Sequence, residues 1–338
     1  MAVAVPRPVR HAVDRLLRPE WLLLGVVALP FALGLSVPPW AEYLPLLVSI
    51  LVLGLPHGAV DHLVLARVDP GTSVRRSVVL VSGLYALLGG LYLLGWFLAP
   101  VAAFAFFILL TWVHWGQGDL YCLHVLSDGA YPTTPAHRLL TVAVRGALPM
   151  LVPLVAFPGA YESVLAATVG LFGADPSTVA WAFTPETRLA VAVGFAVLVT
   201  GSLVLGVRSS DPATWKRDAT EVGLLSFFFA VVPPVLAIGV YFCVWHSLRH
   251  IVRVVGLDEL SVAALARGDL VGAVRGFARD ATPTTAISLV VLAGLAIAVP
   301  QTPAGLTGLV AVYLVLLAVL TLPHVVVVSL LDRRQGVW

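Results

Sequence analysis

The stretch LTGLVAVYLVLLAVLTLPHVVVVSL, residues 306–330, decides the fold of this protein. It contains no charged side chain, and a helix needs about 20 predominantly apolar residues to cross the hydrocarbon core of a bilayer. It does contain one histidine, His324, and an ionisable group at that depth is costly. The stretch therefore predicts a membrane-spanning helix that carries a polar residue with a functional or structural task.

Similar apolar runs recur along the whole chain of 338 residues. Charged residues make up 11% of it, whereas a soluble domain has roughly 25%. We therefore predict an all-α fold, a polytopic transmembrane helical bundle that forms a single integral membrane domain (1–338), and we exclude a soluble enzyme with one anchor. The predicted spans are 20–37, 44–66, 77–98, 101–123, 139–157, 188–207, 284–300 and 306–330, with a further one or two in 221–255.

The stretch 221–255 is too long for one span, because a helix of this length would measure roughly 50 Å against a bilayer core of about 30 Å. Pro233 and Pro234 predict a break within it, since proline removes a backbone donor and clashes with the preceding turn. With this break the chain has about 10 spans, and without it fewer, so we expect about 8–10.

The basic residues support the break and fix the orientation, because cytoplasmic loops are rich in Lys and Arg. With both termini cytoplasmic, all but three of the 20 basic residues lie on the inner side; the exceptions are Arg145 and Arg249 within spans and Arg188 outside. This topology predicts a cytoplasmic N-terminal segment (1–19), an outward loop (158–187) with a short helix at 161–172, and a cytoplasmic interfacial segment (256–283). We expect a multi-pass protein of the plasma membrane.

Three further histidine motifs lie within predicted spans: PHGAVDH (56–62), HWGQGD (114–119) and WHSLRH (245–250). In the predicted topology, His57, His114, His246, His250 and His324 all fall in the inward half of spans that run from outside to inside. His246 and His250 are spaced i, i+4, which places two imidazoles on one helix face about 6 Å apart, as suits one ion. The pattern predicts a metal site that includes His57, His114, His246 and His250.

Other polar residues in these motifs are candidates for supporting roles. Asp61 is spaced i, i+4 from His57, so its carboxylate is expected to orient that imidazole. His62 points elsewhere on a helix and is expected to hydrogen-bond to a neighbouring helix. Asp119 is a further candidate close to the site, and Gly116 and Gly118 beside it allow a close backbone approach. His324 follows Pro323, and it could satisfy the carbonyl that a proline frees within a span.

Aromatic and basic residues next to the motifs have two interpretations each. Trp112, Trp115, Phe242 and Trp245 are candidates for the wall of an apolar substrate tunnel, and the tryptophans are equally candidates for anchors at the membrane interface. Arg249 is expected to pair with Asp61, Asp119 or Glu221, because an unpaired charge within a span is costly. The two cysteines, Cys122 and Cys243, lie in apolar context and predict no disulfide or zinc site.

Imidazole ligands suit Fe, Cu, Zn or Ni, and four neutral ligands on a six-coordinate ion leave two positions open for a substrate or O₂. A site within the hydrocarbon layer would meet lipid-soluble substrates. An oxygenase acting on such a molecule fits these facts. An ion or proton transporter and a bis-histidine haem carrier also remain open, since Asp61, Asp119 and the histidines could form a proton relay.

The motifs PHGAVDH, HWGQGD, WHSLRH and LPH (322–324) resemble those of the Brp/Blh family of membrane-bound β-carotene 15,15′-dioxygenases, and the resemblance covers most of the chain. The resemblance implies cleavage of the central double bond of β-carotene by O₂ to give two molecules of retinal. It also implies a non-haem Fe²⁺ cofactor on His57, His114, His246 and His250, and a rhodopsin as a candidate acceptor of retinal. The alternative that the resemblance leaves open is a non-catalytic accessory role in retinal-protein production. The sequence contains no basic patch with interleaved aromatic residues, and we therefore predict no nucleic-acid partner.

Overall fold

A computed structural model describes residues 5–208 and 211–338, and within these ranges it contains helices and no strand. The predicted all-α class is therefore confirmed. The first helices are α1 (Arg7–Ala32), α2 (Pro39–Glu42), α3 (Leu44–Ser49), α4 (Asp61–Val68), α5 (Val74–Leu98), α6 (Pro100–Leu126) and α7 (Pro135–Ala156). They are followed by α8 (Pro158–Gly170), α9 (Pro185–Val207), α10 (Pro212–Val231), α11 (Pro234–Val255), α12 (Glu259–Ala266), α13 (Leu270–Ala298) and α14 (Gly305–Arg334).

Seven of the described helices are long and apolar enough to cross a membrane: α5, α6, α7, α9, α11, α13 and α14. They correspond to seven of the predicted spans, and the chain is a multi-pass membrane protein. Their outer faces carry large apolar side chains such as Val193, Val290 and Ile297, of which Ile297 is 86% exposed. Such faces are expected where a helix meets lipid and not water.

The break that we predicted within 221–255 is confirmed. Helix α10 ends at Val231, and α11 begins at Pro234, where the missing N–H of proline is tolerated because the first turn of a helix has no partner for it. Within α11, residues Tyr241–Ser247 form a π-helical segment, which widens the turn just before His250. π-helical turns are rare and are often found at functional sites.

The predicted span 44–66 is not one continuous helix. It consists of α3, a 3₁₀ turn (Leu55–Gly58) and α4. Leu53 has φ 62°, a left-handed conformation that a branched residue rarely adopts, and the following Pro56 disfavours helix in the residue before it. His57 therefore lies in a turn between two short helices, where side-chain directions differ from those of a regular helix.

The predicted loops are largely helical. The short helix expected at 161–172 is present as α8, and a 3₁₀ helix (Pro176–Phe183) completes the segment 158–187. The segment 256–283 contains α12 and the beginning of α13. In the segment 1–19, residues 1–4 lie outside the described residues and α1 begins at Arg7. The side of the membrane on which each segment lies stays a prediction.

Helices α6 and α7 approach each other closely through two glycines. A Cβ atom at Gly116 would meet the backbone of Val142, and one at Gly146 would meet the carbonyl oxygen of Trp112. Small residues allow membrane helices to pack backbone to backbone. The close approach fixes the stretch of α6 that carries His114. Both cysteines, Cys122 and Cys243, are buried.

Candidate metal centre

Five buried histidines from four separate chain segments meet inside the bundle. His57 comes from the 3₁₀ turn, His114 from α6, His246 and His250 from α11, and His324 from α14. Their exposed fractions range from 3% to 8%. The ring of His57 lies within 5.4 Å of the rings of His246, His250 and His324 and 6.3 Å from that of His114, measured between centroids. Residues far apart in sequence thus form one imidazole cluster.

Donor atoms within this cluster lie close enough for three residues at a time to hold an ion. Two groups have ligand atoms that all lie within 4.8 Å of one another: one is His57, His114 and His246, and the other is Asp61, His250 and His324. Imidazole nitrogen binds an ion such as Zn²⁺ at about 2.1 Å, so two ligands at right angles are roughly 3 Å apart. The Nε2 atoms of His114 and His246 are 3.0 Å apart.

Hydrogen bonds fix which nitrogen of two rings carries the proton. The Nδ1 atom of His57 bonds to the carbonyl oxygen of Gly54, and that of His324 bonds to a carboxylate oxygen of Asp61 at 2.7 Å. Since both partners only accept, each Nδ1–H donates, and in the neutral ring Nε2 keeps its lone pair. The Nε2 atoms of His57, His250 and His324 are buried without a hydrogen-bond partner. Unpaired imidazole nitrogens gathered in one place fit a metal ion.

The widened turn of α11 presents two of these rings. His246 lies at the end of the π-helical segment and His250 in the first α-helical turn after it. His246 packs against His114 with 4.6 Å between ring centroids, and His250 packs against His324 with 5.0 Å. The i, i+4 spacing thus places both rings in the cluster. Gly118 of α6 lies beside the ring of His246, since a Cβ atom there would be 3.4 Å from Nδ1, an ordinary contact distance.

Asp61 contacts a different histidine from the one expected. Its Oδ2 atom accepts a hydrogen bond from the hydroxyl of Tyr85 at 2.6 Å and pairs with Nδ1 of His324. The expectation for His57 assumed one regular helix, but His57 lies in the 3₁₀ turn and Asp61 is the first residue of α4. The expectation for His62 was also wrong, because its Nδ1 bonds to the carbonyl oxygen of Ala59 in its own turn, 3.0 Å away.

Asp119 does not belong to the imidazole cluster itself. Its two carboxylate oxygens lie 3.3 Å from Nη1 of Arg145 and 3.4 Å from Nη1 of Arg249, and Nε1 of Trp245 donates to it at 2.9 Å. Arg249 lies over the ring of Trp245, 3.6 Å from its centroid. Asp119 thus connects α6, which carries His114, to α7 and α11.

The two arginines are part of a larger buried ion network, all of whose charged side chains are almost fully buried. Arg249 binds Glu20 at 2.7 Å and Glu221 at 2.9 Å, in addition to Asp119. The carboxylate partners of the two arginines are Glu20, Asp119, Asp218 and Glu221. Asp119 and Glu221 were among the predicted partners of Arg249, whereas Glu20 was not. The network holds the helices behind the histidines together.

An apolar cavity of about 590 Å³ adjoins the cluster. His57, His114 and His324 lie in its wall, together with Asp61, His62 and Tyr85. Trp115 and Phe242 also line it, and their rings lie 5.7 Å and 6.2 Å from that of His246. A long apolar ligand in this cavity would contact the imidazole cluster directly.

Two predicted wall residues lie elsewhere, which corrects the sequence interpretation. Trp112 points towards α7, where its Nε1 donates to the carbonyl oxygen of Ala143 at 2.7 Å. Trp245 is fully buried behind the histidines, where it bonds to Asp119 and packs under Arg249. In both cases the indole N–H needs a polar partner, and that partner lies away from the cavity.

The cavity reaches the outer face of the bundle between α5 and α13. Ser82, Ala86 and Gly90 of α5 line it and are exposed, and they repeat every four residues along one helix face. Across from them, Ile287 and Val291 of α13 also line it, 62% and 44% exposed. The same residues therefore lie both at the cavity wall and on the outer surface of the bundle.

A family model described as β-carotene 15,15′-dioxygenase matches residues 48–332. The chain belongs to this family. It is 46% identical over 318 residues to a protein of Halobacterium salinarum named probable β-carotene 15,15′-dioxygenase Blh, covering 94% of this chain and 92% of that protein. No solved structure matches the chain.

Two further relatives are more distant. A second Halobacterium salinarum protein, named probable β-carotene 15,15′-dioxygenase Brp, is 30% identical over 94% of this chain and 90% of its own length. A protein from uncultured marine bacterium 66A03, named β-carotene 15,15′-dioxygenase, is 23% identical over 64% of this chain and 70% of its own length. All the imidazole cluster residues lie within the part of the chain that the family model matches.

Proposed function

We propose that this protein cleaves the central 15,15′ double bond of β-carotene with O₂ and releases two molecules of all-trans-retinal. Family membership and the names of the relatives support this activity. The observation that carries the proposal is the cluster of buried histidines beside an apolar cavity of about 590 Å³, where His57 and His324, both with an unpaired Nε2 atom, lie in the cavity wall. This arrangement brings a metal ion and a lipid-soluble substrate together and keeps water away.

The metal proposed for the cluster is Fe²⁺, held by His57, His114, His246 and His250. The separations between the donor atoms of His57, His114 and His246 and the fixed proton on His57 fit such a role, and the ring of His250 lies 5.4 Å from that of His57. When bound, iron supplies the binding and activation of O₂. The residue types alone would also accept copper or zinc, and the preference for iron follows from the resemblance to the Brp/Blh family.

The chain itself contributes substrate orientation. Trp115 and Phe242 pack beside His246, so a polyene lying along them would present one double bond to the cluster. Holding reactants in the right geometry contributes several kcal/mol to catalysis. In the overall reaction one carbon–carbon double bond is broken and two carbonyl groups form. Both oxygen atoms of O₂ are used and the double bond supplies the electrons, so the chain needs no reductant site.

The membrane context of the reaction follows from the spans. We propose that the protein lies in the plasma membrane with both termini in the cytoplasm, since this orientation places most Lys and Arg residues on the inner side. In this setting β-carotene reaches the site from the lipid bilayer, and retinal leaves into the same layer. A rhodopsin in that membrane is the proposed acceptor of retinal.

The decisive experiment compares wild type with His250→Ala in cells that produce β-carotene. Retinal is extracted and measured by chromatography, and iron is measured in both purified proteins. His11→Ala serves as the matched control, because His11 is an exposed histidine on α1 outside the cluster. We expect retinal and bound iron with wild type and His11→Ala, and loss of both with His250→Ala.

Other outcomes would overturn the proposal. Intact β-carotene and no bound metal in the wild type would favour a non-catalytic accessory role or a transporter. Retinal formation by His250→Ala at the wild-type rate would show that the imidazole cluster is not the reaction site. Retinal formed by a protein that binds copper or zinc, and not iron, would overturn only the choice of metal.

A further inference from the structure

The ring of His324 packs against three of the other four imidazole rings in the cluster. Its ring is 4.7 Å from that of His114, 5.0 Å from that of His250 and 5.1 Å from that of His57, measured between centroids. Only 4% of the residue is exposed. The role expected from the sequence, satisfying a carbonyl freed by Pro323, does not fit, because the ring bonds to a carboxylate on another helix.

That carboxylate belongs to Asp61, which is held in place from a third helix. Asp61 Oδ2 is 2.7 Å from Nδ1 of His324 and accepts the hydroxyl hydrogen of Tyr85 at 2.6 Å. Tyr85 opens the π-helical segment Tyr85–Gly89 within α5. A carboxylate on the far nitrogen of an imidazole is the usual partner of a metal-binding histidine, because it fixes the ring and strengthens its other nitrogen as a ligand.

The free nitrogen of His324 has no structural partner. Its Nε2 atom is buried without a hydrogen bond, although buried polar atoms in folded proteins nearly always have one. A histidine that served only to pair with Asp61 would not need to leave Nε2 unpaired among other imidazole rings. The packing is also tight, because a Cβ atom at Gly58 would lie 3.2 Å from Nδ1 of His324. The glycine lets the turn that carries His57 rest directly on this ring.

We propose that His324 is a fifth nitrogen ligand of the metal, and that Asp61 and Tyr85 are its positioning residues; this inference rests on the metal centre of the proposed function. It also improves the charge balance. Four neutral imidazoles leave a divalent ion uncompensated in a buried site, where isolated charge is costly. Asp61, linked through His324, places one negative charge within the network around the ion.

The test measures metal binding, and it does not depend on catalysis. Wild type, His324→Ala and Asp61→Asn are purified and loaded with Fe²⁺ or with Co²⁺ as a coloured probe. Metal per protein, the rate of metal loss to a chelator and the visible spectrum of the Co²⁺ form are recorded. His62→Ala is the matched control for metal binding, because His62 lines the same cavity but its Nδ1 bonds within its own turn.

Removing a partner of a ligating imidazole typically lowers metal affinity about 10- to 100-fold, which is the loss we expect for Asp61→Asn. His324→Ala should lose more than about 100-fold, since the ligand itself is removed, and should change the Co²⁺ spectrum. Added imidazole should restore part of the binding by filling the vacated space. His62→Ala should retain the wild-type affinity and spectrum.

Wild-type affinity, rate of loss and Co²⁺ spectrum in His324→Ala would overturn the inference. If His324→Ala does not fold, Asp61→Asn and Tyr85→Phe test the inference, because both substitutions keep the shape of the side chain. Unchanged metal affinity in both variants would overturn the positioning roles of Asp61 and Tyr85 and the role of His324 as a ligand. The outcomes also separate the two proposals. Metal loss in these variants of a protein that forms no retinal would support the fifth ligand and reject the cleavage reaction.

Discussion

Replacing Arg249 by methionine tests whether the buried ion network holds the metal-binding helices in place. The guanidinium is 3% exposed, and its nitrogens lie 2.7 Å from Glu20, 2.9 Å from Glu221 and 3.4 Å from Asp119. Without it, Glu20 loses its cationic partner and Arg145 alone faces the remaining carboxylates. Breaking a buried pair from one side costs about 3–5 kcal/mol, because a charge stays buried without compensation.

We therefore expect Arg249→Met to lower the free energy of unfolding by about 3–5 kcal/mol, a factor of more than about 100 in the folding equilibrium. The assay is denaturant-induced unfolding in mixed micelles followed by circular dichroism. Arg217→Met is the matched control. Its partner Asp14 is 3.1 Å away, but the two side chains are 28% and 58% exposed, so the loss should be less than about 1 kcal/mol.

A second variant separates lost attraction from stranded charge. Adding Glu20→Gln to Arg249→Met removes one of the unpaired carboxylates and should recover about 1 kcal/mol or more, since contacting residues commonly show interaction energies of about 0.5–3 kcal/mol. Equal, small losses for Arg249→Met and Arg217→Met, with no recovery in the double variant, would refute the reasoning. They would mean that the carboxylates near Arg249 do not carry their charge.

Three further predictions concern the cavity, the helix packing and the metal. Trp115→Ala should raise KM for β-carotene at unchanged iron content, because Trp115 lines the cavity. Trp112→Phe, at a residue outside the cavity lining, should leave KM unchanged. Equal KM values for the two variants in steady-state kinetics would contradict the position of Trp115 in the substrate cavity. Gly146→Leu should lower Tm, since its side chain would meet the backbone of α6, while Gly194→Leu, in open space on α9, should leave Tm unchanged. Removing the metal with a chelator should lower Tm and stop retinal formation, and added Fe²⁺ should restore both. Tm falls because a ligand that binds only the folded state stabilises that state. An unchanged Tm would argue against a buried ion.

Much of the fold was predictable because membrane spans are long and lack charge. The break at Pro233 and Pro234 also followed from local chemistry, since proline cannot continue a helix there. The turn that carries His57 could not be predicted from local chemistry. It depends on a left-handed Leu53 and a 3₁₀ turn at Pro56, and the apolar sequence on both sides reads as one continuous span.

The site was predictable to the extent that its parts share a helix. The i, i+4 spacing of His246 and His250 placed both rings in the cluster, but the pairing of Asp61 with His324 joins residues 263 positions apart. Such pairing depends on tertiary packing, which one sequence does not reveal. The same holds for the hydrogen bond that Trp245 donates to Asp119 on another helix. It also holds for the ion pair of Arg249 with Glu20, which lies at the start of a predicted span.

The opening of the cavity between α5 and α13 determines which concentration of β-carotene sets the reaction rate. For a substrate that enters laterally from the hydrocarbon layer, this concentration is the amount of substrate per lipid molecule and not per volume of buffer. The rate at a fixed total amount of β-carotene should therefore fall when inert lipid or detergent is added, since each molecule then meets the opening less often. In a cell, membrane area and carotenoid content would together set the flux, and neither product nor substrate would need to cross water.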